Sequence, residues 1–347
     1  MKKTTLFGSL LIFMLAILFL AMPSLIKNRD MGNRQAVANA TNVKKVDKKI
    51  KVGLLQFMDH PSLNEIRQGF YDQMAQRGYV DGQNLTIDFA NGQGDQSNLK
   101  MLSEKMMANK DDYLVGIATP AAQALKNVAN DQLPVVMSAI SDPIAAGLVD
   151  SLEKPGKNVT GVSGDCPIEK QFDIIHQVMP ELKTLGIIYN SSETNAFKTV
   201  QDAKKIAESM GIKVVEKTIT STNDLGQVAE QLSKEVEALF VPNDNTIASS
   251  MNTLIAVTNS HKIPVFPVAD AMVKAGGVAT VGITQYQFGV DTANVLADLI
   301  EGKDAREYPV VFTKETAPYI NSKEAKLLGI QLPEELVKKA KDMGKEG

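Results

Sequence analysis

From residue 51 onward the chain alternates between two hydrophobic rhythms. The runs "KVGLLQF", "LTIDFAN", "YLVGIAT", "LPVVMSAI" and "NVTGVS" are nearly continuous apolar stretches, too short for helices and rich in β-branched residues, and predict strands. The first four are each followed by a stretch of helical period or length. In "SLNEIRQGFYDQMAQRGY", Leu63, Ile66, Phe70 and Met74 recur on one helical face and Gly78 ends the pattern. Apolar strands separated by helices predict a parallel sheet covered on both faces. After "IEKQFDIIHQVMPELK" the alternation starts again, with "TLGIIYN", "IKVVEKTI", "EALFVPND", "IPVFPVA" and "GVATVGIT" as strands. The fold class is therefore α/β, two doubly wound lobes of similar size with a cleft between them.

In such sheets ligands sit beyond the carboxyl ends of the strands, where loops and helix N-termini converge. Those loops are small and polar here. Thr119 before Pro120 reads as a helix start with proline at the first helical position. The same arrangement leaves the amides of Ala121 and Ala122 for an anion, with Gln123 on the next turn. Ser141 and Asp142 before Pro143 repeat the design. In the second half, Tyr189, Glu193 and Asn195 follow one strand, and "PNDNT" places Asp244 and Asn245 after another. A carboxylate at Asp142, Asp165, Glu193 or Asp244 is the expected partner for a ligand ammonium. Aromatics are scarce, 5% with no tryptophan, yet Phe57, Tyr189, Tyr286 and Phe288 all fall in strand-end loops. Their alternatives are a planar ligand or ordinary packing. His60, next to Pro61, reads as a loop former.

The N-terminus breaks this pattern. Lys2 and Lys3 precede an uncharged apolar run over residues 6–26, about the 20 residues that span a bilayer. It reads as a membrane anchor, or as an export signal cut at the A-x-A-like "AVANA". Either places the rest of the chain outside the cytoplasm, with residues 1–30 as the signal or anchor helix and 31–49 as a polar linker. The remaining composition is that of an ordinary globular protein: 347 residues, 44% hydrophobic, 22% charged, net charge -3, which gives no reason to expect nucleic acid as a partner. One cysteine and three separated histidines make a disulfide framework or a metal cluster improbable. The sequence has no G-x-S-x-G elbow, phosphate-binding G-x-x-x-x-G-K-[ST] loop or H-E-x-x-H. Cys166 has no histidine nearby in sequence and reads as a neutral wall residue. Neither catalysis nor a cofactor is expected.

The stretches "GLLQFMDHPSLNEIRQGFYDQMAQRGYVDGQN", "GQGDQSNL", "IATPAAQA", "SDPIAAGLV", "NVTGVS", "GIIYNSSETNA" and "VPNDNTIAS" resemble the ABC-transporter solute-binding proteins of the tryptophan/tyrosine-binding type. The resemblance runs from residue 51 into the 320s. It implies a type I periplasmic-binding-protein fold: two Rossmann-like lobes joined by three crossovers, one lobe of residues 50–162 with 284–310, the other of 163–283 with 311–347. It implies hinges near 159–162, 281–285 and 309–312, an aromatic amino acid as ligand, and a membrane permease and ATPase as partners. Matching positions are Phe57, Thr119, Ala121, Gln123, Ser141, Asp142, Tyr189, Glu193, Asn195, Asp244 and Asn245. The chain departs from the family where "SGDCP" inserts Gly164 in place of the usual Ser-Asp pair. A sensor module for a sugar or nucleoside is the alternative reading.

Overall fold

The computed structural model describes residues 49–345 apart from 132, 314 and 315. The expected anchor and linker lie outside the described residues, among which no helix is long and apolar enough to cross a membrane.

The first half builds β1 (Ile50–Gln56), α1 (Pro61–Gln76), β2 (Leu85–Asn91), α2 (Gln96–Ala108), β3 (Tyr113–Ile117), α3 (Thr119–Val128), β4 (Val135–Ile140) and β5 (Val159–Ser163). The second half continues with α4 (Ile168–Val178), β6 (Thr184–Asn190), α5 (Thr194–Ser209), β7 (Lys213–Ile219), α6 (Thr222–Leu232), β8 (Ala238–Val241), α7 (Asn245–Ser249), α8 (Met251–Ser260) and β9 (Val265–Pro267). Then come α9 (Asp270–Lys274), β10 (Ala279–Gly282), α10 (Gln285–Ile300), β11 (Val311–Phe312), β12 (Ala317–Ile320), α11 (Ser322–Leu328), α12 (Glu334–Lys339) and β13 (Lys341–Asp342).

A six-stranded sheet in the order β11-β5-β4-β3-β1-β2 is parallel throughout. Its central strands are apolar on both faces because helices cover both, as βαβ crossovers require. A second parallel sheet runs β7-β6-β8-β9, and a small third one pairs β10 antiparallel to β12 and β12 parallel to β13. The Val278 amide bonds the Val265 carbonyl at 2.7 Å, so the third sheet continues from the second.

The hydrophobic clusters follow this division. One core draws on residues 52–162 and 283–310, and two others on 168–281 with 320–336. Two boundaries differ from the sequence reading. Ile283 packs into the first core, and Val311 and Phe312 pair with Val162 and Ser163 as the edge strand of the first sheet. A two-residue strand has too little periodicity to announce which sheet it joins.

The returning helix α10 lies across α1 at very short range. A Cβ on Gly289 would sit 1.9 Å from the Ile66 carbonyl oxygen, and one on Gly69 would sit 2.1 Å from that of Tyr286. Glycine is required at both positions. The contact packs the start of α10 against the middle of α1, near Ile66, Gly69 and Phe70, and residues of both helices line the cleft.

Candidate ligand-binding site

In the first lobe the site rests on the turn from β3 into α3. A Cβ on Gly116 would lie 2.6 Å from Ala122 Cα, so the small residues let the helix press against its own strand. Ala118 joins the two with φ 75° and ψ 156°, a region that favours glycine. Its carbonyl accepts the Ala122 amide at 3.1 Å. The Ala122 amide expected for a ligand is therefore used by the helix itself. The amides of Thr119 and Ala121 have no acceptor among the described residues, because the first turn of a helix has none to offer.

A second strained alanine lies next door. Ala139, φ 58°, marks the bulge where β4 slips register against β5. A Cβ on Gly164 would come within 2.7 Å of the Ala139 carbonyl carbon, which gives the inserted glycine a steric reason. Both strained residues line the cleft.

In the second lobe a single carboxylate organises the polar loops. Glu193, buried, accepts the backbone amides of Asn245 (2.9 Å) and Thr246 (2.7 Å), the Thr246 hydroxyl (2.7 Å), Asn245 Nδ2 (2.7 Å) and Asn195 Nδ2 (3.1 Å). Five donors saturate it, so it does not serve as the ammonium partner expected from sequence. Asp244 accepts the amides of Asn190 (2.6 Å) and Ile247 (2.8 Å) as the cap of α7. Burial and the neighbouring Glu193 charge push its carboxyl well above the usual range. Asn195 Nδ2 also donates to the Asn243 carbonyl at 2.7 Å, while Asn195 Oδ1 is buried without a partner.

Between the lobes these groups line a cavity. Thr119, Ser141, Asn195, Asn243 and Asp244 give it polar walls, and Leu63, Ile66, Val268, Met272 and Phe288 apolar ones. Hydrogen bonds join the two walls of the cleft. Asn243 Nδ2 donates to Ser141 Oγ, and His60 Nε2 meets Asn245 Oδ1 at 3.3 Å. Thr119 and Asn195 also line a second cavity, walled by Asp142, Tyr189, Glu193 and Lys198 among others.

Several candidates do not line the inner cavity. Phe57 is packed in the first core, and Gln123 Nε2 holds the Ala146 carbonyl at 2.9 Å. Asp142 accepts the Ala145 amide at 2.9 Å, closing its own turn. Asp165 is exposed and 3.8 Å from Lys198. The Tyr189 hydroxyl donates to Glu216 at 2.6 Å, and the exposed Tyr286 hydroxyl donates to Asp72 at 3.0 Å on the outer face of α1 and α10. Tyr286 and Phe288 are two residues apart and so face opposite sides of α10, and Phe288 reaches the cavity.

His60, read as a loop former, is a cavity wall residue. It precedes Pro61 and makes no capping bond, which leaves its ring free to enter the cleft. Burial lowers its pKa against the opposing pull of the Asn245 hydrogen bond and the Glu193 and Asp59 charges, so the ring is neutral at pH 7. Cys166 lines the cavity too, its thiol pushed up to about 12 by burial and by Asp165. It is a neutral wall residue rather than a nucleophile.

Two α/β lobes with convergent polar loops over a shared cavity define a solute-binding protein. Residues 51–343 match the family model for ABC transporter substrate binding proteins, and the chain belongs to that family. It is 36% identical over 297 residues to the tyrosine-binding protein of Clostridioides difficile strain R20291, covering 85% of this chain and 86% of the relative. Among solved structures, the ABC domain of Streptococcus pneumonia in complex with L-Trp aligns at 42% identity with a TM-score of 0.82, covering 85% of this chain and 99% of that one. A ligand-free, open substrate-binding protein with adhesive properties from Clostridium difficile aligns at 35% identity over 84% and 99% of the two chains, with a TM-score of 0.66.

Proposed function

We propose that this chain captures an aromatic amino acid, tryptophan or tyrosine, outside the cytoplasm and delivers it by lobe closure to the permease and ATPase of an ABC importer. The observation that carries the reading is the inner cavity itself, which joins unpartnered backbone donors and a buried acceptor to an apolar wall. In this reading the ligand carboxylate bonds the Thr119 hydroxyl and the Thr119 and Ala121 amides, as anions do at helix starts. The ammonium bonds Asn195 Oδ1, with Asp244 also in the cavity wall. The ring lies between Leu63, Ile66, Met272 and Phe288. A relative that binds tyrosine and a similar structure holding L-Trp support the ligand class.

The apolar N-terminal run keeps the protein at the outer membrane face as its anchor, or exports it as a cleaved signal. A micromolar affinity corresponds to about 8 kcal/mol, within reach of charge-assisted bonds at one end and a buried ring at the other. Thermal denaturation with tryptophan, tyrosine, ribose and inositol tests the assignment. Tryptophan or tyrosine is expected to raise the melting temperature, by about 2.7 kcal/mol of stabilisation at a hundredfold excess over the dissociation constant. No shift with either amino acid, alongside a shift with a sugar, would overturn it.

A further inference from the structure

The Glu193 carboxylate fixes more than the loop it caps. Asn245 Nδ2 donates to it at 2.7 Å, so the other end of that amide, Oδ1, is an acceptor. His60 Nε2 lies 3.3 Å from this oxygen and must therefore carry the ring proton. In a neutral imidazole the remaining nitrogen, Nδ1, is then a bare acceptor. His60 is 5% exposed, it lines the cavity, and Nδ1 has no hydrogen-bond partner. A buried acceptor left alone costs about 1–3 kcal/mol, which a ligand donor recovers.

The position of His60 indicates which donor. Thr119 and Asn195 line both cavities and so mark where the two adjoin. His60 lines only the inner cavity, with Leu63, Ile66 and Phe288 from the same pair of helices, α1 and α10. The amino-acid end of a ligand held at Thr119 and Asn195 leaves its side chain on the His60 side.

We propose that His60 is a specificity-determining residue: its Nδ1 accepts a hydrogen bond from a donor on the ligand's ring, an indole N–H or a phenol O–H, and selects against rings that lack one. Glu193, acting through Asn245, is the positioning residue that keeps His60 an acceptor. The inference rests on the aromatic amino-acid reading and sharpens it, because hydrophobic fit alone separates tryptophan and tyrosine from phenylalanine only weakly.

The test is titration calorimetry of the full chain with tryptophan, tyrosine, phenylalanine and benzothienylalanine, the tryptophan isostere with sulfur in place of the indole N–H. Phenylalanine and benzothienylalanine are expected to bind at least about 30-fold more weakly than the better of tryptophan and tyrosine. His60→Phe is expected to erase most of that ratio. A second measurement needs no variant: long-range proton–nitrogen NMR of the imidazoles. It is expected to show the His60 proton on Nε2 in the free protein and an Nδ1 shift on binding tryptophan that saturating benzothienylalanine does not reproduce. If benzothienylalanine binds within about threefold of tryptophan, or the proton sits on Nδ1, the inference is wrong while the amino-acid reading stands. If neither tryptophan nor tyrosine binds, both fall.

Discussion

Asp111 shows what a buried carboxylate oxygen costs when no hydrogen bond reaches it. Its Oδ2 is buried without a partner, and a Cβ on Gly53 would lie 2.7 Å away. Burial, then the charge of Asp88, raises its pKa from 3.8 to about 6. A raised carboxyl gives stability that is complete below its unfolded value near pH 4 and is lost as pH rises through about 6. Asp111→Asn is therefore expected to stabilise the protein at pH 7.5 by on the order of 1 kcal/mol, solvent screening included, with the gain vanishing below about pH 4. Urea denaturation of both proteins at the two pH values checks it, and a pH-independent difference would refute the assignment. At the cleft, sequence and structure part company for a related reason. The strand ends "ATPAAQ", "SDPIAAG" and "PNDNT" were legible as a polar cluster because such loops converge in this fold. Which groups face a ligand was not, since it depends on partners distant in sequence. Glu193 looks free until Thr246 and Asn245 are brought to it, and His60 looks like a turn residue until Asn245 fixes its proton.

At the level of elements, the strands and helices of both halves were readable because central strands buried on both faces are apolar without interruption. Sheet order was not, and β11 joined the first sheet because it follows α10 in the same lobe, not because of its own pattern. The crossing of α1 and α10 was equally hidden, as "QGF" and "QFG" carry no mark that their glycines oppose each other's backbones. That crossing has a measurable consequence. Gly289→Ala would drive a methyl group toward the Ile66 carbonyl, 1.9 Å from the ideal Cβ, and neither backbone can retreat alone. A loss of about 2–3 kcal/mol in unfolding free energy is expected. Ligand affinity should fall with it, because His60 precedes α1 while Gln285 and Phe288 ride on α10. Denaturation and calorimetry on the same variant would show this. Undiminished stability would mean the helices slide apart freely.

For the whole molecule, the alignment is better with the L-Trp complex than with the open, ligand-free relative, at TM-scores of 0.82 and 0.66. The bonds from Asn243 to Ser141 and from His60 to Asn245 join the two walls of the cleft. Small-angle X-ray scattering is expected to show a larger radius of gyration for the protein without ligand and a contraction on saturation with tryptophan or tyrosine. An unchanged profile would mean that closure does not accompany capture. These two bonds join protein to protein and contain no ligand atom, which has a consequence for selection. Any change that strengthens this latch raises the closed fraction for every solute by the same factor. A scavenger gains reach that way but no discrimination, and a narrower diet has to be written into the cavity wall.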